Sequence, residues 1–247
     1  MTSGQEGADG GTSLGISRAG ATTWLTLRRP PGNKLDLELT RALHRALTDA
    51  DADPEVRAIV LTGSDGVFCG GADLPAVLAA DVLHEFADAL VDLFGVFPDL
   101  VTPVIAAVNG DALAGGFGLM CSADIAIAVH DARIGTIEAR FGTWPVVAQV
   151  AAARRTPFPV LMANVLTGVP LSAERAAHFG IVHETVTPAE LDQRAAALAR
   201  AVTAAGSATA VGRPALHQAL NLPYRDALRA GAEAFVTLAD PRNSDNG

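Results

Sequence analysis

The sequence predicts an α/β fold with a helical C-terminal region, and three observations support that prediction. Short apolar segments at 58–62, 104–108 and 125–129 alternate with segments of helical spacing, which is typical of parallel strands joined by crossover helices. After residue 150 the spacing becomes helical. The chain of 247 residues is 49% hydrophobic and 18% charged, a composition that supplies one large packed core.

Each element follows from its local pattern. Residues 1–14 are small and polar and are expected to form a disordered leader, followed by an α/β core over 15–188 and a helical oligomerisation region over 189–247. Periodicity, turns and capping residues predict these core elements in order: a hairpin over 15–27, a helix capped by Asp36, a strand over 58–62, a helix over 80–98, a strand over 104–108, a short helix after 114–116, a strand over 125–129 and a helix capped by Ser172.

Charge and cysteine content exclude several functions. The net charge is −9 and Lys34 is the only lysine, which argues against a nucleic-acid partner. Two cysteines cannot build a disulfide framework, and no histidine pair has metal-ligand spacing, so no metal is expected. With no apolar run long enough to span a membrane, we expect a cytoplasmic protein without a membrane partner.

Two glycine-rich turns carry the chemical interest. One covers residues 68–74 (FCGGADL) and the other covers residues 109–119 (NGDALAGGFGL). Glycines let a ligand oxygen reach backbone N–H groups, and two such groups that converge on one carbonyl would form an oxyanion hole. Each turn taken alone could equally be an ordinary tight turn.

Two reactive side chains accompany the turns. Glu138 is an acid among apolar residues after a predicted strand, although it could equally be a surface carboxylate paired with Arg140. Cys69 lies in the first turn, but no histidine is placed by sequence to activate it, so a buried filler is the simpler interpretation.

Taken together, these segments resemble the crotonase (enoyl-CoA hydratase/isomerase) family from about Ile16 to Val186. The resemblance rests on these segments: Arg29-Pro30, Asn33-Lys34-Leu35, residues 68–74, 107–110, 114–116 and 121–124, Glu138, and residues 166–168, 171–176 and 180–182. It implies a spiral of ββα units, a C-terminal region used for a homotrimer or homohexamer, and an acyl-CoA thioester as substrate. Coenzyme A would then be part of the substrate, and no separate cofactor is expected.

The resemblance also implies roles for individual residues. The oxyanion-hole amides fall on Ala72 and Gly115, and the second of two family glutamates falls on Glu138. The first falls on Gly118, which has no side chain. The expected contacts to the substrate and its CoA part are Arg29, Lys34, Gly71, Asp73, Leu74 and Gly118.

The missing glutamate leaves several interpretations open. One base suffices to move a double bond, so isomerisation fits slightly better than hydration, and Val146 in place of a family aspartate disfavours thioester hydrolysis. A catalytically silent acyl-CoA-binding protein is a second interpretation. Under a third, another acid completes the site, and the candidates are Asp73, Asp81, Glu85 and Asp111. A glutamate introduced at position 118 would restore hydration if the fold left room for it.

Overall fold

The computed structural model describes residues 13–204, 206 and 208–240, and residues 1–12 of the predicted leader lie outside them. Within these residues the strands are β1 (Leu14–Ala19), β2 (Thr22–Leu27), β3 (Ala58–Gly63), β4 (Val67–Cys69), β5 (Val104–Val108), β6 (Asp111–Leu113), β7 (Ile125–Val129), β8 (Arg133–Gly135), β9 (Leu171–Ser172) and β10 (Glu184–Val186). The α-helices are α1 (Leu37–Ala52), α2 (Leu74–Ala79), α3 (Leu83–Asp99), α4 (Gly115–Ser122), α5 (Ala148–Arg155), α6 (Phe158–Thr167), α7 (Ala173–His178), α8 (Leu191–Thr203), α9 (Ala208–Ala219) and α10 (Tyr224–Ala239).

The larger sheet has the order β1-β2-β3-β5-β7-β10. Its first two strands form the predicted antiparallel hairpin, and every later neighbour pair is parallel. All residues of β3 and β5 are buried, which explains why these strands are continuously apolar rather than alternating. The side chain of Asp36 accepts a hydrogen bond from Leu39 N–H, as its predicted capping role requires.

A smaller sheet of order β4-β6-β8-β9 was not predicted. Each of β3, β5 and β7 ends and, after two or three residues, continues into a short strand of this second sheet. The strands β4, β6 and β8 are mutually parallel, so the second sheet repeats the order of the first. A helix follows β4 and another follows β6, and the repeat is the expected spiral of ββα units.

Two predicted boundaries shift. Leu14, which the prediction places in the leader, begins β1. Helix α8 packs on β3, β5 and β7 and buries Leu191, Ala195 and Ala199, so it belongs to the core layer although it follows residue 188.

The last two helices form a hairpin that one buried arginine attaches to the core. Arg213 of α9 donates to Asp124 Oδ2 (2.9 Å) and to the carbonyl of Phe97 (2.7 Å), and His217 Nε2 lies 3.1 Å from the other oxygen of Asp124. Helix α10 packs against α9 and has no buried residue. Its apolar side chains are therefore exposed in the single chain.

Candidate active site

The first glycine turn follows β4 and is shaped by a close approach to the second. Gly71 has φ +94°, and a Cβ at this position would lie 2.5 Å from Ala114 Cβ, so only glycine fits. Leu35 N–H donates to the Gly71 carbonyl and Asp73 N–H donates to the Leu35 carbonyl, both at 2.8 Å. These two hydrogen bonds hold the chain on either side of Ala72, and the Ala72 N–H takes part in neither of them.

The second glycine turn follows β6 and is strained. Ala114 has φ 54° and ψ −124°, a conformation that costs on the order of 1–3 kcal/mol and is concentrated at functional sites. Its N–H donates to the Gly135 carbonyl (3.0 Å), which ties the turn to the end of β8. Gly115 then begins α4.

The two turns bring two backbone amides side by side. A Cβ built on Gly115 would lie 3.6 Å from the nitrogen of Ala72. Among the residues that the structure describes, neither the Ala72 nor the Gly115 N–H donates to a protein acceptor. Two adjacent, unsatisfied and half-buried amides at a helix N-terminus can stabilise an oxygen that gains negative charge.

Glu138 follows β8, the next strand along the smaller sheet. It begins a 3-10 helix over Glu138–Phe141 and is half-buried. The Ile137 N–H donates to its Oε2 (2.8 Å). Burial raises the pKa of this carboxyl above its ordinary value, although backbone N–H donors partly oppose the shift. A raised pKa suits a group that takes up and returns a proton near neutral pH.

The alternative pairing of Glu138 with Arg140 does not form. Within residues 13–204, 206 and 208–240, no arginine or lysine makes an ion pair with the Glu138 carboxylate. The three candidate groups thus follow the carboxyl ends of β4, β6 and β8, which are mutually parallel strands of the smaller sheet. Ligands bind at such strand ends in open α/β sheets.

Gly118 lies inside a helix contact rather than on an open surface. A Cβ at this position would lie 2.7 Å from Ala148 Cβ and 2.8 Å from Ala148 Cα, because α4 packs closely on α5. No side chain fits here without moving α5. The expected substrate contact at Gly118 is therefore not supported by an exposed surface, and a glutamate introduced there has no room.

Arg29 and Asp73 hold the first turn against the loop over 28–36. The Arg29 guanidinium makes ion pairs with Asp36 and Asp73, both at 2.7 Å. The hydrogen bond from Arg29 holds the pKa of Asp73 below its ordinary value. Because two carboxylates neutralise Arg29, it has less charge to offer a phosphate than the sequence suggested.

The remaining predicted contacts lie beside this loop. Lys34 packs near Gly70, whose N–H donates to the Gly32 carbonyl (2.8 Å), and it has no ion pair among the described residues. Leu74 is 43% exposed at the start of α2. The structure therefore places Lys34 beside Gly70 of the first turn and Leu74 at the end of that turn.

Sequence reasoning missed a groove between α1 and α2 that contains two arginines. A cavity of about 390 Å³ lies between α1 and the α2 segment, and two arginines (Arg41, Arg45) and two acids (Asp36, Glu38) are among its lining residues. Within the described chain, neither guanidinium forms an ion pair. The sequence signal that could have indicated this groove is a pair of arginines one helical turn apart in a chain with a single lysine.

The other candidate acids are paired or exposed. Asp73 is bound by Arg29, and Asp111 is bound by Arg133. Asp81 and Glu85 are exposed. None of the four provides an unpaired, enclosed carboxylate to replace the one missing at Gly118.

The structure supports neither Cys69 as a nucleophile nor a metal site among the described residues. Burial raises the pKa of Cys69 to about 12, so its thiol stays protonated and is not a nucleophile near neutral pH. In the described ranges no group of three His, Cys, Asp or Glu side chains could hold a metal ion. No helix there is long and apolar enough to cross a membrane.

Comparisons with known proteins agree with this architecture. A family model described as enoyl-CoA hydratase/isomerase matches residues 18–245. The enoyl-CoA hydratase EchA19 of Mycobacterium tuberculosis is 32% identical over 198 residues, which are 77% of this chain and 74% of that protein. A carnitinyl-CoA dehydratase of Salmonella typhi is 35% identical over 197 residues, 76% of this chain and 73% of that protein.

A solved structure shows the same fold. The crystal structure of an enoyl-CoA hydratase from Mycobacterium smegmatis superposes with a TM-score of 0.89 at 27% identity, and the match covers 95% of this chain and 94% of that one. Sequence match, fold and the ββα repeat agree. The chain belongs to the enoyl-CoA hydratase/isomerase family and is an enzyme of that family.

Proposed function

We propose that this enzyme moves a proton at the carbon next to the carbonyl of an acyl-CoA thioester, with Glu138 as its single acid/base. The amides of Ala72 and Gly115 would bind the thioester oxygen as it becomes enolate-like. The observation that carries the proposal is the placement of two unsatisfied amides and one half-buried carboxyl after adjacent strands. Removal of one oxyanion donor typically costs about 2.7–4 kcal/mol of transition-state stabilisation.

Double-bond isomerisation is the reaction that these groups serve best. Glu138 would take a proton from one carbon, the enolate would form against the two amides, and Glu138 would return the proton to another carbon. The carboxylate is then regenerated, and no second group is required. Hydration needs a water that is both activated and oriented, and Ala148 occupies the space beside Gly118 where a second carboxylate would project.

A silent acyl-CoA-binding protein is the alternative that Gly118 favours. A screen of purified protein against short, medium and branched 2-enoyl- and 3-enoyl-CoA thioesters separates the two. Interconversion of 2-enoyl and 3-enoyl isomers supports the proposal. Tight binding of thioesters without any interconversion supports the alternative. In either case, the acyl chain that the protein prefers indicates whether fatty-acid metabolism is the setting.

The CoA end of the substrate would lie along the outer side of the first turn. CoA phosphates need positive charge, and Arg29 is already neutralised by two carboxylates. Lys34 and the arginines of the α1–α2 groove, Arg41 and Arg45, remain without ion pairs among the described residues. We therefore assign the phosphates to these three side chains.

Calorimetric titration with CoA tests that assignment. Lys34→Ala and the double variant Arg41→Ala/Arg45→Ala should each weaken binding, and added salt should shrink the difference because exposed charges are screened beyond about 8 Å at physiological ionic strength. Arg18→Ala is the matched control, since Arg18 is already paired with Asp53 (2.8 Å). Unchanged CoA affinity in both test variants would contradict the assignment.

A further inference from the structure

One buried amide side chain uses all its hydrogen-bonding capacity on two residues, Thr136 after β8 and Val169 after α6. Asn164 lies on α6 and is 5% exposed. Its Oδ1 accepts from the Thr136 N–H (2.8 Å) and the Thr136 hydroxyl (3.0 Å). Its Nδ2 donates to the carbonyls of Thr136 (3.0 Å) and Val169 (2.9 Å). An amide has two donors and two acceptor sites, so this side chain is fully satisfied.

The backbone that Asn164 holds lies between the two halves of the candidate site. Gly135 precedes Thr136, and its carbonyl accepts the hydrogen bond from Ala114 N–H (3.0 Å) that ties down the second glycine turn. Glu138 follows Thr136 by two residues. A Cβ on Gly135 would lie 2.8 Å from the Asn164 amide nitrogen, so glycine at 135 is what lets this amide approach so closely.

We propose that Asn164 is a positioning residue that fixes the Gly115 amide and the Glu138 carboxyl relative to each other through the Gly135–Thr136 backbone. The inference rests on the proposed function of Glu138. Asn164 itself touches neither group, and it acts by holding the strand end from which both are placed. A displacement of about 1 Å in such a constellation can lower a rate by about 10²-fold.

The test measures proton exchange and binding in variants of Asn164 and Thr136. Asn164→Ala should lower the maximal rate of exchange at the carbon next to the thioester by at least about tenfold, while the affinity for a saturated acyl-CoA changes less than about threefold. Thr136→Val replaces the hydroxyl, which donates to Asn164 Oδ1, with a methyl group and should have a smaller effect of the same kind. Thr136→Ser keeps the hydroxyl and should stay near wild type.

A matched control separates positioning from loss of stability. Val165→Ala truncates the buried neighbour of Asn164 on the same helix and leaves its hydrogen bonds in place. This control should lower the melting temperature with little change in the exchange rate per folded molecule. If Asn164→Ala behaves like Val165→Ala, or if Thr136→Val and Thr136→Ser have equal rates, the proposal is wrong.

Backbone amide exchange keeps the inference testable on its own. In Asn164→Ala and Thr136→Val, the amides of Thr136 and Ala114 should exchange with solvent faster than in wild type. Asn164→Ala removes the acceptor of the Thr136 N–H, and both variants should loosen the Gly135 carbonyl that accepts from Ala114. If the wild-type protein exchanges no proton of the substrate, that result contradicts the proposed function and leaves the inference about Asn164 to be tested by amide exchange alone. In that case unchanged protection of these two amides would overturn the inference, and faster exchange would support it.

Discussion

Glu138 must meet two opposing requirements, access to the substrate and partial burial. As a base it must be accessible to substrate, yet partial burial raises its pKa and makes the charged form less favourable in the folded state. Active sites are where such shifts concentrate, since a carboxyl tuned upward exchanges protons more readily near neutral pH. The family resemblance indicated Glu138 from the sequence. Its burial and the lack of an ion pair with Arg140 depend on the fold and could not be predicted.

A stability measurement follows from the sign of that shift. A carboxyl whose pKa is raised on folding contributes stability that is present below its unfolded pKa and is lost as pH rises through the folded value. We therefore expect Glu138→Gln to raise the melting temperature above that of wild type at pH 8, because the amide removes a penalised charge. The difference should shrink at pH 4, where the wild-type carboxyl is largely protonated.

Thermal unfolding at both pH values checks this expectation. Glu55→Gln is the matched control, since Glu55 is exposed, and it should leave the melting temperature nearly unchanged at either pH. A melting temperature for Glu138→Gln equal to or below that of wild type at pH 8 would contradict a raised pKa of Glu138 in the folded state.

At the scale of elements, the contact between α4 and α5 decides which chemistry the site can perform. Ala148 opens α5 directly over Gly118. Extra atoms forced into a packed contact typically cost about 1–3 kcal/mol. We expect Gly118→Ala to lower the melting temperature by several degrees, since about 1 kcal/mol corresponds to about 2–4 °C in a domain of this size.

The companion substitution is Ala148→Gly, which removes the methyl group that a side chain at 118 would meet. The double variant Gly118→Ala/Ala148→Gly should recover part of the lost melting temperature relative to Gly118→Ala alone. Gly118→Glu should be destabilised and should gain no hydration. Effects of the two substitutions that simply add would show that they do not share a contact.

The same scale shows what sequence patterns can and cannot predict. Strands β3, β5 and β7 were predicted because four or five consecutive apolar residues are a strong signal. Strands β4, β6 and β8 have only three residues each and carry no periodicity, so the second sheet was missed although it positions every candidate group. Asn164 and Thr136 are 28 residues apart, and no local pattern connects them.

At the scale of the whole molecule, the C-terminal hairpin leaves an apolar face exposed. Its exposed large apolar side chains are Leu216, Leu220, Tyr224, Leu228, Phe235, Val236 and Leu238. Large apolar side chains exposed in this number on one segment are typical of an interaction site. Because Arg213 fixes α9 on the core, the face is held in a defined orientation, and we propose that it packs between subunits of a homotrimer or homohexamer.

Light scattering during gel filtration tests this proposal. Wild-type protein should have three or six times the chain mass of 25.3 kDa, and Leu228→Glu combined with Phe235→Glu should dissociate it. Arg229→Glu on the same helix is the control, because Arg229 is largely exposed, and it should leave the assembly intact. A monomer at micromolar concentration would contradict the proposal.

The central claim is that one carboxyl, Glu138, performs proton transfer beside an intact oxyanion hole. Deuterium incorporation from heavy water into the carbon next to the thioester, followed by mass spectrometry alongside crotonyl-CoA hydration, tests it most directly. Wild type should incorporate deuterium with weak or no hydration, and Glu138→Gln should lose about 10²–10⁴-fold in exchange while it still binds the thioester. Brisk hydration by wild type that persists undiminished in Glu138→Gln would contradict the account.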